Sequence, residues 1–326
     1  MDKKLNWGLL STANINRALI NPLTASKRTR LLAVASRSIS TAEAYAREWK
    51  IPRAHGSYEA LLADPEIDVI YNSLPNHLHA EWTIKALRAG KHVLCEKPLA
   101  LTLAEVDAMT ATSKETGKVL MEAFMYRHHP QTLKVKEIVE SGKLGKLQFI
   151  RGSFTFTISR EGDIRLKKET GGGSIWDVGC YPISYARMLV GAEPLEVFGW
   201  QVIGQGGSDE SFIGQMRFPN DIHMQFDSGF KSPFRSHIEI VGTQGILNIP
   251  NPFKPNRNEK IELQLGDEIE VIKVKGEELY LGEVDNMCDA ILSGKMPRVS
   301  LADSCANTSA ILSLLESARL GKPVAV

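Results

Sequence analysis

The sequence predicts an α/β protein, in which an N-terminal doubly wound parallel sheet precedes a C-terminal α+β domain built on an open, largely antiparallel sheet. Two textures carry the prediction. Up to about Phe124, short β-branched apolar runs alternate with segments of helical period, as in parallel strands joined by crossover helices. After Arg127 the alternation stops, and longer strands broken by Gly, Pro and Asn take over. With 326 residues, 43% of them hydrophobic, the chain has material for two cores. The expected division is 1–124 for the parallel-sheet domain and 125–326 for the second.

In the first domain, strands are expected at Leu5–Leu10, Leu31–Ser36, Val69–Ser73, His92–Cys95 and Val119–Glu122, several apolar enough to be covered on both faces. The segments Thr41–Lys50, Tyr58–Ala63, Leu78–Ala89 and Leu103–Thr116 repeat apolar residues three and four apart and read as helices. Gly90 and Gly117 stand where C-caps belong. The second domain opens with a helix from Gln131 to Ser141. Strands follow at Gln148–Thr157, Glu196–Ile203, Ser211–Phe218, Ile222–Phe230, Ser236–Val241, Ile261–Leu265 and Glu268–Lys275, and Asn251–Asn256 reads as a loop. Helices at Ser174–Val190, Leu279–Ser293 and Asp303–Gly321 would cover one face of that sheet or return toward the first domain. Phe212, Ile213, Met216, Ile222, Met224 and Phe226 are expected to expose an apolar sheet face, with burial inside the monomer as the competing account.

Composition narrows the function classes. The chain carries 39 Lys and Arg against 38 Asp and Glu, a net charge of +1 with no long run of one sign, which argues against nucleic acid and acidic polymers as partners. Cys95, Cys180, Cys288 and Cys305 make no C-x-x-C pair and no zinc or disulfide spacing, which points to a reducing cytoplasm. The start Met1-Asp2-Lys3-Lys4-Leu5-Asn6-Trp7 lacks the long apolar region of a signal peptide. No stretch approaches the ~20 apolar residues of a membrane span. A soluble cytoplasmic protein is expected.

The chemistry-bearing segments cluster at strand ends. The first strand runs into Gly8-Leu9-Leu10-Ser11-Thr12-Ala13-Asn14-Ile15, where a dinucleotide-binding fold places a glycine-rich turn against pyrophosphate. Ser11 and Ala13 replace two of the glycines; Ser11 or Thr12 would cap the helix and offer a hydroxyl to phosphate, although the segment also suits a plain strand-turn-helix. The second strand ends in Ser36-Arg37-Ser38. A carboxylate there would bond a free ribose 2′-hydroxyl, whereas Ser and Arg would bond and neutralise a 2′-phosphate, favouring NADP with NAD as the other possibility. The third strand leads into Leu74-Pro75-Asn76-His77-Leu78-His79, where Asn76 would cap the next helix. His77 and His79 lack matching carboxylate or cysteine ligands, so no metal is assigned.

The fourth strand ends in Glu96-Lys97-Pro98. A lysine held there beside a proline can present its ammonium to a reacting oxygen, with Glu96 modulating its charge; an exposed lysine before a turn is the plain alternative. In the second domain, Gly171-Gly172-Gly173 would allow close approach of a ligand and leads to Trp176, Asp177 and Tyr181. Asp177 and Tyr181 are four apart and on a helix would share one face, although a lone Tyr also suits a core position.

Taken in order, these segments resemble the glucose-fructose oxidoreductase / inositol dehydrogenase / rhizopine catabolism (Gfo/Idh/MocA) family over essentially the whole chain. The resemblance is carried by Glu96-Lys97-Pro98, by Leu74 to His79, by Glu122-Ala123-Phe124-Met125-Tyr126-Arg127-His128-His129-Pro130-Gln131, and by the glycine run followed by Asp177, Gly179 and Tyr181. Within the family the chain looks most like the branch with dimeric dihydrodiol dehydrogenases and NADP-dependent xylose dehydrogenases.

The resemblance implies a Rossmann domain followed by an open-sheet domain that binds substrate and pairs into a homodimer. It further implies hydride transfer between the nicotinamide and a hydroxyl or carbonyl carbon of a sugar, polyol or cyclic trans-diol. Lys97 then inherits the family's catalytic lysine, Asp177 the acidic residue that orients substrate, and Tyr181 a position where many relatives have histidine. A phenol with an ordinary pKa near ~10 needs a nearby cation such as Lys97 to act as a base near neutral pH. Arg127 falls where relatives contact substrate. Relatives also include glycosidases that act by transient oxidation with bound NAD, and non-catalytic dinucleotide-binding sensors. Ser36-Arg37 argues against the former, and retention of Lys97, Asp177 and Tyr181 against the latter.

Overall fold

The computed structural model describes residues 4–326; the Met1-Asp2-Lys3 start lies outside the described residues. The chain forms two compact units, one running to His128 and including Tyr280–Cys305, the other made of His129–Leu279 and Ala306–Val326.

The first unit alternates β1 (Leu5–Leu9), α1 (Asn16–Ala25), β2 (Thr29–Ala35), α2 (Ile39–Trp49), β3 (Arg53–His55), α3 (Tyr58–Ala63), β4 (Val69–Asn72), α4 (His79–Arg88), β5 (His92–Glu96), α5 (Leu103–Thr116) and β6 (Leu120–Ala123). The strands pair in parallel in the order β3-β2-β1-β4-β5-β6, with Gly8 opposite Ile70 and Leu94 opposite Met121. The central strand β4 is buried at every residue, and so is β6 at the sheet's edge, as expected where helices cover both faces. Local signals set the helix ends. Thr102 and Glu105 form a reciprocal capping box at the start of α5, and Gly117 closes the helix in the left-handed region at φ 63°. The helix expected after the first turn is α1, whose bounds were not legible because Pro22 lies inside it, and β3 escaped because it is too short to show a period.

The second unit contains α6 (Pro130–Glu140), β7 (Leu147–Thr157), α7 (Cys180–Val190), β8 (Glu196–Ile203), β9 (Asp209–Arg217), β10 (His223–Gly229), β11 (Lys231–Gly242), β12 (Gly245–Ile249), β13 (Asn258–Leu265), β14 (Glu268–Lys275) and β15 (Val324–Ala325). Its sheet runs β14-β13-β12-β11-β7-β10-β9-β8-β15. Only the β7–β10 pair is parallel among the described pairings, so the sheet is largely antiparallel as expected. The short strand β12 was missing from the sequence reading.

A Cβ added at Gly152 would lie 2.8 Å from Pro182 Cβ, so α7 seats directly on β7 where that strand has no side chain. Phe212, Met216, Met224 and Phe226 are 0–2% exposed, and Ile222 is also buried. These five therefore belong to the core of the unit, which corrects the expectation that they form an exposed face. Strand alternation explains the sixth: Ile213, at 42% exposure, points to the opposite face, together with Trp200 and Val202.

Between β14 and β15 come α8 (Leu281–Ser293) and α9 (Leu301–Leu320), α8 belonging to the first unit. No helix among the described residues is long and apolar enough to cross a membrane.

Candidate active site

In the first unit, the candidate residues from Ser11 to Lys97 follow the ends of β1, β2, β4 and β5, neighbours in the order β2-β1-β4-β5. After β1, Leu10 N–H donates to Tyr71 O at 3.0 Å. Ser11 Oγ lies 2.8 Å from Ser73 Oγ and accepts Ala13 N–H at 3.1 Å, while Ser73 Oγ donates to Asn16 Oδ1 and Asn16 Nδ2 to Ser11 O, both at 2.6 Å. This buried network bolts the turn to the end of β4. It also corrects the capping expectation, because Ile15 occupies the N-cap of α1 with no side-chain cap and Ser11's hydroxyl is engaged elsewhere. Thr12, Ala13 and Ile15 are half-buried and Asn14 is exposed. Gly8 has a packing reason: a Cβ there would come 2.9 Å from Leu61 Cδ1 of α3.

At the end of β2, Ser36 N–H donates to His55 O, while Arg37 and Ser38 are exposed and α2 has no acidic residue in its first turn. The end of β4 leads through buried Leu74 and half-buried Pro75 into a single 3₁₀ turn, Asn76–Leu78. Asn76 makes no helix cap. Asn72 holds the corner instead, donating to His79 O and Thr83 Oγ1 and accepting Leu74 N–H. His79 is fully buried, its Nδ1 2.8 Å from Pro98 O and its Nε2 2.8 Å from Leu74 O. Burial lowers its pKa to about 4, so a neutral ring ties the loops after β4 and β5 together.

At the tip of β5, buried Glu96 accepts the Tyr71 hydroxyl at 2.5 Å, half-buried Lys97 follows, and the Lys97–Pro98 peptide is cis. Leu99 N–H then donates to Glu122 Oε1 at 2.8 Å. Behind this tip, α8 brings in Glu283, completely buried, with neither carboxyl oxygen hydrogen-bonded among the described residues. Burial and then the Glu96 charge push Glu283 well above the usual carboxylate range, which favours its protonated form. Arg127 is buried in a 3₁₀ turn, Met125–His128, with Nη1 2.9 Å from Asp303 Oδ2.

In the second unit, the glycine run meets its own chain, which corrects the expectation that it serves ligand approach. Gly172 and Gly173 N–H donate to Lys167 O and Arg165 O, both at 2.9 Å, and a Cβ on Gly172 would sit 2.4 Å from Arg165 O. Gly173 has φ +132°, and its Cβ would fall 2.3 Å from Asp209 Oδ1. Asp209, 3% exposed, accepts Ser174 Oγ at 2.6 Å and Ile175 N–H at 2.9 Å. It thereby anchors a wide π-helical turn, Ile175–Gly179, that runs straight into α7. Pro182, which has no N–H to donate, lies in the first turn of α7.

The π turn carries buried Trp176 and half-buried Asp177, whose Oδ2 lies 3.8 Å from Arg165 Nη1. Tyr181 is 4% exposed, its ring held edge-on by Phe154 at 5.3 Å and tilted against Phe253 at 5.6 Å. Sequence reasoning missed Arg165, Asp209, Tyr71 and Glu283. Only a polar residue inside an apolar run, as at Tyr71, offered a signal.

Residues 5–124 match the model of the Gfo/Idh/MocA oxidoreductase family with its NAD-binding Rossmann fold, and residues 132–248 match the family's C-terminal domain. The chain is 34% identical to a D-xylose 1-dehydrogenase (NADP(+)) of Haloferax volcanii over 98% of each chain. It is 32% identical to trans-1,2-dihydrobenzene-1,2-diol dehydrogenase of Xenopus tropicalis over 75% of each. Among solved structures it resembles KijD10, a 3-ketoreductase of Actinomadura kijaniata in complex with NADP and TDP-benzene, with a TM-score of 0.92 and 29% identity over 97% of this chain and 98% of that one. The chain belongs to the Gfo/Idh/MocA family of oxidoreductases, on the branch with xylose and dihydrodiol dehydrogenases.

Proposed function

We propose that the protein is an NADP-dependent oxidoreductase acting on a hydroxyl or carbonyl carbon of a sugar, polyol or cyclic trans-diol, with Lys97, Tyr181 and Asp177 as its catalytic residues. The observation that carries this reading is Lys97, half-buried at the carboxyl end of a parallel strand and backed by the Glu96–Tyr71 bond. The donor set fits the cofactor. Arg37 with Ser36 and Ser38 supplies a cation and hydroxyls for a 2′-phosphate, and the first turn of α2 carries no acidic residue to repel it. The Ser11–Ile15 turn and the uncapped start of α1 suit pyrophosphate, and the Leu74-Pro75-Asn76 loop held by His79 suits the remainder of the dinucleotide. The xylose dehydrogenase named for NADP(+) and the NADP complex of KijD10 support the same choice.

When bound, the dinucleotide supplies the hydride acceptor or donor. In this reading the Lys97 ammonium stabilises the developing alkoxide, Tyr181 exchanges the hydroxyl proton, and Asp177 accepts a hydrogen bond from substrate, with Arg127 and Trp176 as further substrate contacts. The exposed Trp200, Val202 and Ile213 suit pairing into a homodimer. The test is NADP⁺ reduction with a panel of aldoses, inositols and trans-diols, with NAD⁺ as control. Arg37→Ala is expected to raise KM for NADP⁺ about 10- to 100-fold and to leave that for NAD⁺ nearly unchanged. Tight NADPH binding without turnover on any member of the panel would point instead to a sensor.

A further inference from the structure

Arg165 stands in a segment that the sequence pattern leaves blank, between β7 and the glycine run. Its guanidinium is held from one side. Nε and Nη2 donate to the two carboxyl oxygens of Asp163, each at 2.9 Å, and the guanidinium carbon lies 5.1 Å from the centre of the Phe156 ring. Asp163 also accepts Arg165 N–H at 3.0 Å, and Gly173 N–H donates to Arg165 O. Side chain and backbone are therefore both fixed relative to the π turn that carries Asp177.

This leaves Nη1 as the outward corner. It makes no hydrogen bond among the described residues, and it faces Asp177 Oδ2 at 3.8 Å. That separation is too long for a direct hydrogen bond. It suits one oxygen placed between the two groups at about 2.8 Å from each, the usual distance for a bridging water or hydroxyl. The side chains are 40% and 20% exposed, so a solute can reach the gap. A cation paired with an anion is selective by itself. A carboxylate or phosphate entering there meets Asp177, an ammonium meets Arg165, and a bare carbonyl accepts from Arg165 but gives Asp177 nothing. A hydroxyl satisfies both sides, because it accepts and donates at one atom.

We infer that Arg165 is a specificity-determining residue that, with Asp177, clamps one non-reacting hydroxyl of a polyhydroxylated substrate. The guanidinium donates to the hydroxyl oxygen and the carboxylate accepts its O–H. This rests on the reading of Asp177 as a substrate-facing group, and it narrows the substrate class to compounds with a second hydroxyl near the reacting carbon.

The test compares the best aldose or polyol of the panel with its monodeoxy analogues, in the wild type, in Arg165→Leu and in Arg165→Lys, with a thermal melt for each protein. For one analogue, wild-type KM is expected to rise about 10- to 100-fold with kcat changed far less, the scale of a lost charge-assisted hydrogen bond. Arg165→Leu should raise KM for the parent substrate by a similar factor, and removing the same hydroxyl should then cost less than about threefold. Arg165→Lys keeps the charge without the fork on Asp163 and should fall between the two, which retains the test if the leucine variant does not fold. Losses that multiply for every analogue, an unchanged KM, or a fall in kcat alone would each overturn the assignment. Turnover by the wild type with no such coupling defeats this inference only. Absence of NADP-linked turnover on every hydroxyl substrate defeats the proposed function with it.

Discussion

The two sheets position their candidate site residues by different means. In the first unit the groups from Ser11 to Lys97 follow the carboxyl ends of parallel strands, and the strand order β2-β1-β4-β5 is enough to gather them. In the second, Asp177 and Tyr181 belong to a helix start whose place is set by side chains: Asp209 gripping Ser174 and Ile175, and glycines that let the backbone close on Arg165 and Asp209. A sheet edge distributes its load over many backbone bonds. The π turn concentrates it on one buried carboxylate. Chemistry and stability should therefore separate in the first unit and travel together in the second.

The largest expected effect is also the cleanest separation. Lys97→Ala should lower kcat by roughly 10²- to 10⁴-fold, the range for loss of a positioned acid or base, with an unchanged melting temperature and NADPH affinity held within a few-fold. Stopped-flow or steady-state turnover beside a fluorescence titration with NADPH measures both. Normal turnover per bound cofactor combined with lost binding would mean that the tip of β5 serves the dinucleotide and not the chemistry.

Asp209→Ala should break the second unit in both respects. It leaves Ser174 Oγ and Ile175 N–H without the carboxylate that now accepts them, at a cost of about 2–4 kcal/mol in urea unfolding, and kcat should fall with it. Asp209→Asn keeps an acceptor oxygen and should recover most of the stability. If Asp209→Ala changed neither quantity, the π turn would be held by topology, as the edge of the first sheet is.

The same contrast explains what was legible in the sequence. Strand ends are written in local pattern: β-branched runs, glycine C-caps and the Glu96-Lys97-Pro98 corner stand in sequence where they stand in space. The long-range partners are not. Asp209 lies 35 residues beyond Ser174 along the chain, and nothing in its neighbours marks it as the anchor of a distant turn. The glycine run was seen, but its reason was not, because glycine's tolerance for close approach does not say what approaches. Likewise the apolar face of β9 and β10 was read from composition, and only alternation along paired strands separates Phe212 from Ile213. The helix at Leu281–Ser293 is legible, with a return toward the first domain as one of its two expected placements, but its period does not tell that Glu283 comes to lie near Glu96.

Glu283 sharpens the comparison with the smallest expected effect. It and Asp209 are both buried acids, but among the described residues Asp209 is hydrogen-bonded and Glu283 is not. The charge that acts on Glu283 is that of Glu96, and the phenols of Tyr71 and Tyr280 face the same two carboxyls, both raised by burial first and by those carboxyls next. Since its folded pKa is raised well above 4.5, the native protein holds a proton that the unfolded chain releases above that pH. Stability is therefore lost as pH rises from about 4.5 toward the folded pKa, at up to about 1.4 kcal/mol per pH unit. Glu283→Gln, which matches the protonated acid in shape, removes this slope. Near pH 4 the two proteins should unfold at similar urea concentrations, and at pH 7 the variant should be the more stable. His79 and His128, pushed down to about 4 and about 3, add an opposite slope below pH 6.5, but both proteins share it and it cancels in the difference. Parallel curves from pH 4 to pH 8 would mean that the native chain carries Glu283 ionised beside Glu96, so that the first unit too depends on a charged group hidden from the sequence pattern.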